Sequence, residues 1–401
     1  MGVLQNIIKK PELQDEWWEL ETANKLAPQA AYIMAVGQRA NGKTYAVLAE
    51  ILKKWVKSGY KEQGAYIRRY EEDMQGKKGK QLLASHVGLL KQLTKDWDHF
   101  KFKSSEPAWY LAKWQVRTQK HRDGTEDEIK EEIVQDMPFM WGFSINNMES
   151  DKGPNYQSNE TRVTTTIFDE FITRRFYING DQEPVLYFNI LSTIIRDRTD
   201  VKNYLIANTV SQFSPYFEFL GIDNANVQNM KPGQIDLYNY GEEGEGGQLV
   251  FEMTPTTRKV SKTNEKYFAF NNPRLQMFKG FWEMGNWQLM PEKYNREQVI
   301  YTFYIQWNKK NYTADIIQNK DGKLWTFIYN KSTELKKKPD DLIFGKSEEL
   351  RLYSFTNILK PEYNIPVLNL IKNQVLSNNV YYQSLFIGEE FNNYVKWCKE
   401  N

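Results

Sequence analysis

The feature that most constrains this chain is the run GQRANGKT at residues 37–44, which satisfies the pattern G-x-x-x-x-G-K-[ST]. An apolar stretch, AAYIMAV (Ala30–Val36), precedes it. TYAVLAEILKKWVKSG follows, with Ala46, Ala49, Leu52 and Val56 at helical spacing up to Ser58-Gly59. Strand, glycine-rich turn and helix in that order form a P-loop. Gly37, Gln38, Arg39, Ala40, Asn41 and Gly42 then supply backbone N–H groups to phosphate oxygens at the positive end of the helix. Lys43 reaches the β- and γ-phosphates, and the Thr44 hydroxyl ligates Mg²⁺. ATP and Mg²⁺ are the expected ligands, because NKDG (Asn319–Gly322) does not fit the N-K-x-D guanine motif.

AYIRRY (Ala65–Tyr70), TTTIF (Thr164–Phe168) and NYLIAN (Asn203–Asn208) read as further strands. Strands alternating with helical patterns predict a parallel, doubly wound α/β sheet. TTTIFDEF ends in Asp169-Glu170 at the C-terminal edge of its strand, where such sheets bind ligands. Asp169 is expected in the Mg²⁺ shell, and Glu170 to orient and polarise the water that attacks the γ-phosphate. A glutamate there favours hydrolysis over transfer to an acceptor hydroxyl. Asn208 ends another strand, where an amide can sense the γ-phosphate, although asparagine at a strand end also serves turns. Arg196 and Arg198 in IIRDR, Arg39 in the loop, and Arg68 and Arg69 are the arginines that could stabilise transition-state charge. Surface ion pairing is the alternative for each.

The 401 residues divide by character into an ATPase unit (1–255), a linker region (256–297) and a C-terminal unit (298–401). A net charge of +2 argues against a chain that wraps nucleic acid along its whole surface, so any such contact is local, light or shared among subunits. No apolar run reaches the ~18–20 residues of a membrane span, and the N-terminus lacks a signal-peptide core. A single Cys398 and three histidines (His86, His99, His121) offer neither a disulfide nor a structural zinc site. A cytosolic, non-secreted protein without membrane contact is expected. The acidic run Asp123–Asp136 reads as a solvated surface excursion, Tyr240–Pro255 as a mobile connection, Leu335–Asp341 as a solvated loop, and Trp17-Trp18 as packing residues.

In the last hundred or so residues, VIYTFYIQ, YTADIIQ and KLWTFIY form a meander through turns at Asn308–Asn311 and Asn319–Gly322. A helix (Val367–Leu376), a strand (Val380–Phe386) and a terminal helix follow, the order of an RNase H-like α+β domain. A nuclease of that kind needs carboxylates converging on two metals. VIYTFYIQ has no acidic residue, and only Asp315, Glu389 and Glu390 stand as candidates. A degenerate nuclease fold used for docking or nucleic-acid contact is expected.

The succession GQRANGKT, YIRRYEED, TTTIFDEF, IIRDR and LIANTVSQFSPYF resembles the DNA encapsidation ATPases of small podophages with protein-primed genomes. Those carry a GxRGxGKS-type loop, a YVRRY strand, a VFDEF strand, and an arginine-rich segment entering an SNAVS-type strand. The likeness spans most of the chain, weakening through the meander. It departs in the longer N-terminus, in the acidic insert, and at Ala40, where the family has glycine. The resemblance implies an additional-strand, catalytic-glutamate ATPase related to large terminases. It implies a pentameric ring on the portal of an empty procapsid in the host cytoplasm, driving double-stranded DNA inward, with a packaging RNA as a candidate partner. By position it implies Asn208 as sensor, Arg196 as an arginine offered in trans, Lys152 in SDKGPN as a second trans-acting basic residue, and a vestigial nuclease domain. A helicase or DNA-repair ATPase, and a nucleotide-gated assembly protein without turnover, are the competing readings.

Overall fold

Six adjacent parallel strands form the centre of the main sheet in the computed structural model: Gly247–Met253, Tyr32–Gly37, Lys202–Asn208, Arg162–Asp169, Glu62–Arg68 and Met140–Ser144. The structure describes the chain apart from residues 1–3, 10–12, 15–16, 121–125, 148–159, 175–176, 213, 223, 242–245, 284, 291–292, 308–309, 337, 347–352 and 401. Parallel strands covered on both faces read as continuous apolar runs, and Ile33, Met34, Ala35 and Val36 are all fully buried. One strand, Lys202–Asn208, is interposed between the P-loop strand and the Asp169 strand, as in additional-strand ATPases. Antiparallel strands extend both sides. Gln234–Tyr240 and Leu4–Lys9 complete one edge, and Ala108–Lys120 and His99–Lys103 the other.

The helix after the P-loop spans Lys43–Lys57 and buries Val47, Leu48, Ile51, Leu52 and Trp55. Of the expected stripe, Ala49 and Leu52 are buried, whereas Ala46 and Val56 are only half-buried. Burial scales with apolar area, so the larger residues set the face. The helix stops as expected: the Ser58 hydroxyl accepts from Lys61 and Glu62 N–H at 3.1 and 3.0 Å, and Gly59 takes φ +68°.

Two sequence expectations are corrected here. Tyr240–Pro255 is no mobile connection, since Gly247–Met253 is a central strand hydrogen-bonded to the P-loop strand, with Val250, Phe251 and Met253 buried. The Gly and Glu residues precede that strand in the sequence, and their composition outweighed a short apolar run. The acidic insert is exposed at residues 127–131 and 136 and half-buried at 132–135, and Glu126–Val134 is a strand paired with Ala108–Lys120.

The second sheet has the expected meander, Val299–Trp307, Lys310–Gln318 and Leu324–Asn330. Two short strands, Ile343–Gly345 and Ser354–Phe355, continue it in parallel beyond the meander's first strand. The strand expected at Val380–Phe386 is only Val380–Tyr382, and it joins the opposite edge beside Leu324–Asn330. Ser384 ends it by capping the next helix, its hydroxyl accepting from Ile387 N–H at 3.3 Å. The sheets share one buried cluster, in which Trp282, Trp307 and Trp397 join Phe168 and Phe251. Asp181, on the ATPase side, accepts from Lys346 at 2.9 Å and from the Trp397 indole at 2.7 Å. Among the described residues, no helix is long and apolar enough to cross a membrane.

Candidate active site

The P-loop is clamped from beneath by the strand next to it. Thr254 donates its N–H to Val36 O at 2.7 Å, and its hydroxyl accepts from Asn41 Nδ2 at 2.7 Å. A side chain at Gly37 would place Cβ 2.0 Å from that hydroxyl, which explains the glycine. Gly42 and Ala40 both adopt left-handed backbone, at φ +94° and +61°. The glycine is at ease there and the alanine is strained. The Lys43 ammonium is buried and donates to Gln38 O at 2.8 Å, Asn41 Oδ1 at 2.9 Å and Asn208 Oδ1 at 3.4 Å. Burial pushes it down to about 7, against the pull of Asp169 and Glu252.

Asp169 and Glu170 emerge where their strand ends. The Thr44 hydroxyl lies 3.3 Å from both Asp169 carboxylate oxygens, and Tyr66 donates to one of them at 3.0 Å. Burial raises the Asp169 carboxyl, while Arg68 draws it down. Glu170 has φ +63°, a backbone state that costs energy outside glycine and that turns it away from its strand. Its side chain is half exposed and accepts from Arg68 Nη2 at 2.8 Å, and the same guanidinium reaches Asp169 at 3.4 Å. Arg69 points the other way, into the core. It pairs with fully buried Glu183 at 2.7 Å and donates to Glu170 O at 3.0 Å and Phe171 O at 2.8 Å. Its charge lies over the rings of Tyr177 and Phe168, 5.1 and 5.7 Å from their centroids.

These groups enclose a cavity of about 290 Å³ lined by Ala40–Tyr45, Asp169, Glu170, Ala207 and Asn208. A second, of about 330 Å³, shares Asp169, Glu170 and Asn208 and adds Arg39, Arg68 and Arg69. The structure thus brings together Lys43, Thr44, Asp169, Glu170 and Asn208. The hydroxyl of Thr44 and the carboxylate of Asp169, side by side, form the hard-oxygen donor pair that suits a largely hydrated Mg²⁺. Arg196 is elsewhere. It follows helix Glu183–Ile195, exposed and at φ +53°, where the chain enters strand Lys202–Asn208 from its N-terminal end, whereas the cavity lies at the C-terminal end. Lys152 lies outside the described residues. Asp315, Glu389 and Glu390 do not converge. Asp315 accepts from Tyr294, Thr302 and Tyr329, Glu389 from Gly285 N–H and Trp287, and Glu390 from Gln228 and Tyr312.

Sequence reasoning missed Tyr66 and Glu183 and ranked Arg68 and Arg69 no higher than other arginines. The tandem RR at a strand end was the available signal, because side chains alternate faces there and one must meet the ligand edge.

No family model matches the chain. It is similar to the DNA packaging protein of Bacillus phage B103, 26% identical over 280 residues, which cover 63% of this chain and 72% of that one. Similarity to the DNA packaging protein of Bacillus phage phi29 is 24% over 190 residues, 47% of this chain and 45% of that protein, so the match spans about half of the latter. Among solved structures, the Phi-28 gp11 DNA packaging motor aligns over 96% of this chain and 99% of its own, at 18% identity and a TM-score of 0.45.

Proposed function

We propose that this chain, similar in sequence to phage DNA packaging proteins, is the ATPase subunit of a motor that moves double-stranded DNA into a preformed procapsid through its portal. The observation that carries the reading is the convergence of Lys43, Thr44, Asp169, Glu170 and Asn208 on one cavity, with a strand interposed between the two phosphate-handling edges. Loop amides and Lys43 bind the phosphates. Thr44 and Asp169 would hold Mg²⁺, which would supply neutralisation of phosphate charge. Glu170 exchanges its bond with Arg68 for one to the attacking water, which Asn208 helps to orient.

Arg196 is not among the residues lining either cavity, which supports its action on a neighbouring subunit in a ring, expected to be pentameric. Lys152 is assigned the same trans role. The C-terminal unit, 298–401, acts as a vestigial RNase H-like domain, because its carboxylates are committed to structural hydrogen bonds. Residues 1–255 and 256–297 serve as motor and linker, the portal-bearing procapsid is the docking partner, and a packaging RNA is a further partner. In the test, Glu170→Gln retains ATP affinity while turnover falls by about 10²–10⁴. Turnover near the wild-type rate removes Glu170 from its role.

A further inference from the structure

Residues 256–281 carry six basic side chains (Arg258, Lys259, Lys262, Lys266, Arg274, Lys279) against one acidic, Glu265, in a chain whose net charge is only +2. Their helix, Arg258–Tyr267, has an inner and an outer side. Inward, Asn264 is buried, and Phe268 beyond the helix end stacks on Phe278 with ring centroids 4.3 Å apart. Outward, Lys262 and Lys266 stand one turn apart and exposed, and Arg274 and Lys279 are exposed as well. Tyr267 and Phe270, in the same stretch, are 58% and 72% exposed.

This segment also holds the P-loop. Gln38 is fully buried. Its amide accepts from Thr257 N–H at 3.3 Å and donates to Phe278 O at 2.6 Å. Asn264 Nδ2 donates to that same carbonyl. One carbonyl therefore ties the nucleotide loop to the inner side of a helix whose outer side is basic.

We propose that residues 256–281 form the face through which the chain grips the phosphate backbone of duplex DNA, with Gln38, Phe278 and Asn264 linking that grip to the P-loop. The inference rests on the motor reading above. Exposed lysines are point charges that meet phosphates without reading bases, which is the sequence-blind contact a translocating motor needs. A buried amide keeps its partners, so a P-loop that shifts on its nucleotide carries Phe278 and the helix with it.

The test uses the full chain, a short mixed-sequence DNA duplex and the matching RNA duplex, with binding followed by fluorescence anisotropy over a salt series. Lys262→Ala/Lys266→Ala should reduce the slope of log K against log salt for DNA by about 1.8, two phosphates at about 0.9 each. Turnover without DNA and the circular dichroism spectrum should match wild type. Asn264→Ala should bind DNA, but the difference in affinity with and without a non-hydrolysable ATP analogue should shrink. An unchanged DNA slope in the double variant overturns the assignment. A slope that falls for RNA alone hands the face to an RNA scaffold and also overturns it. An unaltered nucleotide effect in Asn264→Ala overturns the link to the P-loop. Wild-type protein that hydrolyses ATP yet binds no DNA defeats the motor reading itself.

Discussion

Removing Arg69 should separate two effects that its position combines. The guanidinium is 5% exposed and neutralises Glu183, which is 0% exposed, while two further donations fix the carbonyls of Glu170 and Phe171. Arg69→Met leaves Glu183 buried with, among the described residues, the Tyr216 hydroxyl and Ile178 N–H as donors. An uncompensated buried charge costs about 3–5 kcal/mol, which lowers the unfolding midpoint of a 401-residue chain by roughly 4–6 °C. Arg69→Met/Glu183→Leu removes both charges and should recover most of that loss, since apolar replacements of buried pairs are often neutral. Turnover should not recover. Both variants lose the bonds that hold Glu170 at φ +63°, and a misplaced water-activating carboxylate costs about 10²-fold in kcat. Thermal unfolding by circular dichroism and steady-state ATPase assays measure the two quantities independently. A double variant as unstable as the single one would refute the charge argument. Near wild-type kcat in either variant would refute the positioning of Glu170 by Arg69.

Ala40→Gly should stabilise the protein by about 1 kcal/mol by relieving the left-handed strain at φ +61°, read as a higher denaturant midpoint. Lys43 sits at about 7 when folded against 10.5 for the free side chain. Between those values the unfolded chain binds more protons, so stability of the nucleotide-free protein should rise with pH by about 1.4 kcal/mol per unit from this group. Denaturation at about pH 7.5 and 8.5 checks it, and Lys43→Met should flatten the rise. Mixing Arg196→Ala with Lys43→Ala subunits should restore hydrolysis, because one supplies intact cavities and the other intact arginines. No rescue at any ratio would exclude action in trans.

The loop proposed to hold phosphate was legible because a P-loop needs its donors adjacent in the chain, so GQRANGKT is local chemistry written locally. Asp169 and Glu170 were legible for a related reason: a strand that ends in acid announces its edge. What stayed hidden depends on pairing across distance. Gln38 is bonded to Phe278, 240 residues away, and Arg69 to Glu183, 114 residues away, and neither partner carries a local sign of it. Adjacent Arg68 and Arg69 look alike in sequence, but Arg68 pairs with Asp169 and Glu170 whereas Arg69 pairs with the buried Glu183. The strand Gly247–Met253 was obscured by the Gly- and Glu-rich sequence before it, and Ile343–Gly345 and Ser354–Phe355 are too short for any periodicity to register.

Arg196 precedes the seven-residue strand Lys202–Asn208, which is about 20 Å long at ~3.3 Å per residue, and the cavity lies at the far end of that strand, beside Asn208. If one subunit's arginine meets only the next subunit's cavity, with no reciprocal exchange, the contact joins two different patches head to tail. Such head-to-tail contacts either close on themselves after a fixed number of copies or continue as a filament. Every unclosed assembly would keep one cavity without its arginine and one arginine without a cavity. Closure would remove both defects at once.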